Sequence, residues 1–149
     1  MTVDYLVSSL PALSFDAPAP IDEAAFNAAC GGYRQALPAR WHDLETQLRN
    51  AMAEARGRSD CRRAAFGCDL YWQNRIRACF QEKSVIQRED ALDRVWWDAA
   101  GELTDPAAPL GRGALATYAV RLGIVLRRTR RNQQAGEEAF ERTTSETKG

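Results

Sequence analysis

The stretch "GALATYAVRLGIVLRRTRR" (residues 113–131) constrains this chain more than any other. At 100° per residue, Leu115, Tyr118, Leu122, Val125 and Thr129 fall within about 60° of one line. Gly113, Val120 and Ile124 lie on the opposite side, so the first half of this helix has two apolar faces. Beyond residue 126, Arg127 and Arg131 take over the second face. A helix apolar on two sides is either sandwiched within its own protein or pressed against another. Either the rest of the chain walls it in, as a central helix that emerges into solvent, or a partner does.

The rest of the sequence offers helices for that task. "IDEAAFNAACGG" carries acids in a first turn and Gly31-Gly32 at a stop. Trp41, Leu44, Leu48, Met52 and Ala55 recur at helical steps, and Gly57 ends that run. Ser59 or Asp60 is expected to cap a following helix, with Ala65, Cys68, Trp72, Ile76 and Cys79 as its stripe. Ser84 and Gln87 form a capping box for a helix striped by Leu92, Trp96, Ala99 and Leu103. "TDPAAPLGRG" then breaks the chain before the last helix. Only "YLVSSL" and "ALSF" resemble strands, and both lie in the first twenty residues. Alternation at Tyr5, Val7 and Ser9 suggests a strand or strap, and prolines 11, 18 and 20 hold it extended. The expectation is one domain over 1–149, an all-α bundle of about four or five helices. It has an extended leader (1–20) and a frayed tail (142–149).

The leader does not read as a secretory signal. Asp4 stands where a positive residue belongs, and Pro11 and Asp16 interrupt the apolar stretch. Twenty basic residues balance twenty acidic ones, so net charge points to no nucleic-acid or membrane partner. Cys30, Cys61, Cys68 and Cys79 show no C-x-x-C pairing, which argues against zinc and for reduced thiols, with Cys68 and Cys79 packed as small hydrophobes. No phosphate-binding glycine loop, nucleophile elbow or His-Glu metal motif is present. The single His42 lies near a helix start and reads as a surface residue. Glu89-Asp90 and Asp93 with Asp98 read as solvated faces beside Arg88 and Arg94. No catalytic residue, cofactor site or metal site is expected.

Two features point to recognition instead of chemistry. Trp96 and Trp97 diverge by about 100° on a helix, so Trp96 is expected inward and Trp97 on a flank. Arg121, Arg127, Arg128, Arg130 and Arg131 could contact phosphates, but they spread around the helix, and Glu137, Glu138 and Glu141 follow. A nucleic-acid-binding helical module using residues 121–131 is the alternative reading, and a self-associating scaffold a third.

Three stretches also resemble a known family. "DYLVSSLPALSFDAPAPIDEAAF" resembles the opening of small uncharacterised proteins that accompany bacterial V-type (A-type-like) ATP synthases. "DALDRVWWDAAGELT" and "LATYAVRLGIVLRRTRRNQQAGEEAF" resemble that family's aromatic-rich helix and closing helix. The family is similar to the socket protein that seats the central stalk on the rotor ring of archaeal-type and eukaryotic V-type ATPases. That socket protein is a much longer chain, and segment 34–83 carries no matching motif. The resemblance implies a non-enzymatic, all-helical subunit or accessory in contact with the rotor or central stalk. It implies a cytoplasmic location, with membrane association only through the complex and no nucleic acid. The candidate protein interface is Trp97, Val120, Ile124, Arg127 and Arg131.

Overall fold

The computed structural model describes residues 2–33 and 37–147. Its helices are α1 (Val3–Ser9), α2 (Glu23–Cys30), α3 (Ala39–Ala55), α4 (Leu70–Cys79), α5 (Val85–Ala100) and α6 (Arg112–Thr147). Among the described residues there is no strand, and no helix is long and apolar enough to cross a membrane. The all-α bundle is therefore as expected, with one helix more at its N-terminus.

That extra helix corrects the reading of the leader. "YLVSSL" is helical: Thr2 caps α1 by accepting the Tyr5 N–H at 3.3 Å, and Leu6 is the residue it buries. Tyr5 is exposed. Residues 10–21 do form an irregular strap across α6, fixed at three points. Tyr118 donates its hydroxyl to the Pro11 carbonyl at 2.7 Å. Arg128 donates to the Phe15 carbonyl at 3.2 Å, and the Ala19 N–H donates to the Thr129 hydroxyl at 3.1 Å. Burial pushes the Tyr118 phenol above its ordinary pKa, as a group facing carbonyl and ring carbon instead of water should behave.

α3, α4 and α5 pack as a three-helix unit around Trp41, Leu48, Trp72, Ile76, Leu92 and Val95. Ser84 caps α5 as its sequence foretells, accepting the Gln87 N–H at 3.0 Å. α4 starts at Leu70, later than the stripe from Ala65 suggested, because Asp69 is its cap, in place of Ser59 or Asp60. A 3-10 turn covers Ser59–Cys61, and residues 62–69 run irregularly along α3. Three α3 side chains one turn apart hold that loop. Asp43 accepts the N–H groups of Phe66 and Gly67 at 2.6 and 2.9 Å. Gln47 accepts the Asp69 N–H at 2.7 Å, and Asn50 both accepts from and donates to the Arg63 backbone. Cys68, held in this loop, is exposed; Cys30 and Cys79 are the buried thiols.

α6 passes the end of α5 closely because both surfaces are small. Ala99 and Ala100 are fully buried, and Thr117 donates to the Ala100 carbonyl at 2.9 Å. At Gly113 the approach is tighter still, since a Cβ there would overlap the Leu103 carbonyl. The sandwich expected for α6 is met within the chain. Leu115 and Leu122 pack with Leu6, Phe26 and Cys30, while Ile124 and Val125 pack with Trp97 and the strap. The tail expected to fray is helical through Thr147, and the two residues after it lie outside the described residues.

Two outcomes test this packing. Gly113→Ala is expected to lower stability by about 1–3 kcal/mol through overpacking. Gly123→Ala, on the same helix with nothing within 4 Å of the new carbon, is expected to raise it by roughly 0.5–1 kcal/mol. Urea unfolding of both variants reads the contrast. In addition, the Phe66 N–H holds the Asp43 carboxyl below its ordinary value of 3.8. A carboxyl depressed on folding stabilises the fold above its unfolded pKa and loses that contribution as pH falls through the folded one. An NMR titration of Asp43 is therefore expected to show a midpoint under 3.8. A midpoint at or above that value would mean the clamp does not form in solution.

Candidate functional site

The five residues expected to share one interface fall in three places. Trp97 is 8% exposed and Ile124 is 3% exposed, so neither offers free surface. Trp97 is the inward tryptophan and Trp96 the half-buried one, the reverse of the expectation. The stripe through Leu92 and Leu103 is only one of the buried faces of α5. Trp97 lies on another, against α6 and the strap. The Phe15 ring meets Trp97 edge-on at 5.7 Å between centroids, and the Arg121 guanidinium lies 4.8 Å from the Trp97 ring centre.

Arg127 and Arg131 instead converge on Asp93, which sequence alone placed on a solvated face. The Asp93 side chain is 7% exposed. Arg127 donates to one of its oxygens at 2.9 Å and Arg131 to the other. Arg128 approaches the second oxygen at 3.6 Å, and donates to Asp90 at 2.8 Å. Its guanidinium also lies 3.8 Å from the Phe15 ring centre. Arg131 reaches Glu89 as well. Three arginines within about one turn of α6 are thus answered by an acidic turn of α5. Much of the charge that a phosphate backbone would need is already committed inside the protein. Among the described residues, Arg121 and Arg130 are the members of the run with no carboxylate at ion-pair distance, and Arg130 is the exposed one.

Val120, Ile124 and Arg127 do come together, in a cleft over α6. One lobe, about 740 Å³, lies between α2 and α6. A second, about 1000 Å³, lies between α3, α5 and α6. Ala119, Val120 and Gly123 line both, so the lobes meet over one turn of α6 that carries only small side chains. Gly123 is exposed there. Phe26, Leu115 and Leu126 extend the apolar floor on one side, and Trp41, Leu92 and Trp96 on the other. The rims are cationic. Eight arginines line the two lobes against four carboxylates, and three of those, Asp93, Glu45 and Glu89, are already paired with Arg127, Arg49 and Arg131. Arg112 and Arg130 mark the ends of the cleft along α6.

This arrangement has the properties of a slot for another helix. A small-residue floor allows close backbone approach, apolar walls bury a stripe, and arginine rims favour carboxylates and fix register. Sequence reasoning missed the floor because Ala119 and Gly123 carry no side-chain signal. Their spacing with Gly113 and Ala116, at helical steps on α6, was the available trace. Among the described residues no three His, Cys, Asp or Glu side chains gather where they could hold a metal ion. His42 is exposed at the start of α3.

Removing the hub of the arginine cluster tests its weight. Asp93→Ala removes the acceptor shared by Arg127 and Arg131, while Arg128 and Arg131 keep Asp90 and Glu89, and is expected to cost about 1.5–3 kcal/mol in urea unfolding. Arg127→Ala removes a side chain that is 59% exposed, and is expected to cost less than about 1 kcal/mol. Equal effects would show that the buried carboxylate is not the hub. Set against known proteins, the chain matches no family model, no curated protein and no solved structure.

Proposed function

We propose that this protein is a non-enzymatic docking module that takes an acidic helical segment of a protein partner into the α6 cleft. The observation that carries this reading is the cleft's construction. An apolar floor narrowed to Ala119, Val120 and Gly123 is bordered by arginines that outnumber the carboxylates two to one. The apolar lining would be desolvated by a helix of matching shape, and rim charges chiefly set rate and specificity. Val120 and Arg127 contribute to the slot, whereas Ile124, Trp97 and Arg131 support it from behind.

The partner proposed is a component of a V/A-type ATP synthase, in its rotor or central stalk. That identification rests on the resemblance of the N-terminal, Trp96-Trp97 and closing-helix stretches. The module would then act at the cytoplasmic face of the membrane, held there by the complex. The geometry disfavours the nucleic-acid alternative, since Arg127, Arg128 and Arg131 face Asp90, Asp93 and Glu89.

Gly123→Phe separates docking from folding. Nothing lies within 4 Å of the new Cβ, so the ring occupies the cleft without displacing the core. Tagged protein drawn from solubilised membranes of its host is expected to bring stalk or ring subunits, identified by mass, and the variant is expected to lose them. Equal recovery with the variant refutes the cleft. Absence of any rotary-ATPase subunit with the unaltered chain refutes the partner.

A further inference from the structure

We infer that the cleft of one copy is covered by the C-terminal arm of a second copy, giving a two-fold dimer by reciprocal exchange of helices. This rests on the reading of the cleft as a slot for an acidic helix, and names one occupant for it.

The arm is the last part of α6. α6 spans 36 residues, and after Arg131 its side chains are exposed, with Thr144 half-buried. Residues 132–147 make an arm about 24 Å long at 1.5 Å per residue. The cleft between Arg112 and Arg130 runs about 27 Å by the same measure. The lengths therefore match. A chain cannot fill its own cleft, because its arm continues straight off the cleft's end. A second α6 laid antiparallel places each arm along the other's cleft, and the two-fold closes the assembly.

Charge and shape agree with that placement. The arm carries Glu137, Glu138, Glu141 and Glu146 against Arg142 alone. Gln133, Glu137, Phe140, Glu141 and Thr144 fall within about 100° of helix circumference. Phe140 is 73% exposed, an apolar ring with no cover in the single chain. In the exchanged dimer it seats over Ala119 and Gly123, Glu137 and Glu141 lie along the same middle turns of the cleft, and Glu146 comes close to Arg112 at its end. The arm also needs cover on its own account. It contains Gly136 and three threonines, and helices of this length are marginal in water without packing. An outside partner must then displace the arm, so dimer and partner complex exclude each other.

Light scattering on the full chain after size-exclusion chromatography is the test. The mass expected is twice 16.6 kDa. Phe140→Ala is expected to weaken the dimer about tenfold or more for each of the two anchors lost. E146K and R112E, altered where the end of one arm meets the end of the other cleft, are each expected to weaken the dimer alone and to restore it when mixed, because each then offers what the other lacks. Circular dichroism checks that the altered exposed positions leave the bundle folded. A full chain that stays monomeric at about 100 µM, tighter than the weakest specific contacts, overturns the exchange. If that monomer still captures stalk or ring subunits through the cleft, the docking reading stands without it. A dimer indifferent to Phe140→Ala, or to Gly123→Phe, likewise overturns the exchange. Failure of the mixed variants to pair does so too.

Discussion

The first half of α6 is apolar on too many sides to stand in water, and the other elements are arranged to cover it. α5 and the turn after it take one side, with Ala99, Ala100 and Thr117 allowing the closest approach. α1 and α2 take another through Leu6 and Phe26, and the strap of residues 10–21 closes a third with Leu13 and Phe15. The N-terminal segment is short of regular structure because its task is to follow a helix surface. Its hydrogen bonds accordingly go to side chains of α6, to Tyr118, Arg128 and Thr129, and not to a neighbouring strand.

Where hydrophobic coverage ends, charge pairing begins. Past Leu126 the helix presents arginine, and Asp93 sits beneath it with almost no exposure. A carboxylate so placed is costly unless its oxygens are fully engaged, and three guanidiniums engage them. The same groups do a second thing. They fix the rotation of α6 about its axis, because a turn of one residue would carry Arg127 and Arg131 away from Asp93 together. That rotation directs Ala119 and Gly123 outward. The position of the cleft is thus a consequence of the ion cluster below it.

Local signals were legible in the sequence and distant ones were not. The Ser84 cap, the stops at Gly31 and Gly57, and the two-faced character of α6 depend on residues within a few positions of one another, and the structure has them. In α1 the alternation of Tyr5, Val7 and Ser9 imitates a strand, while the residues that pack are Leu6, Val7 and Leu10, at helical steps. The stretch 62–69 was misread because apolar spacing continued through it. Asp43, Gln47 and Asn50 supply its backbone partners from α3, which no pattern within the loop reveals. Trp97 and Asp93 failed for one shared reason. Each is buried by an element more than twenty residues away in sequence, Trp97 by Phe15 and Arg121, Asp93 by the arginines of α6.

The cleft is the place where coverage of α6 was left incomplete, and its composition shows how that is tolerated. A large apolar side chain at residue 119 or 123 would stand in water and invite aggregation. Alanine and glycine expose little, so the uncovered turn costs little in the free chain. Glycine at 123 nevertheless weakens the helix, since a mid-helix glycine costs about 0.5–1 kcal/mol against alanine. At Gly113 the Leu103 carbonyl demands the missing side chain, but at Gly123 nothing among the described residues does. The proposed docking accounts for a residue that weakens its own helix with no internal contact to justify it. The exposed Phe140 raises the complementary problem on the same helix, a large ring without a wall. In the proposed exchange, a slot with small side chains and a side chain lacking a slot, carried on one helix with opposite charges beside them, meet between two molecules.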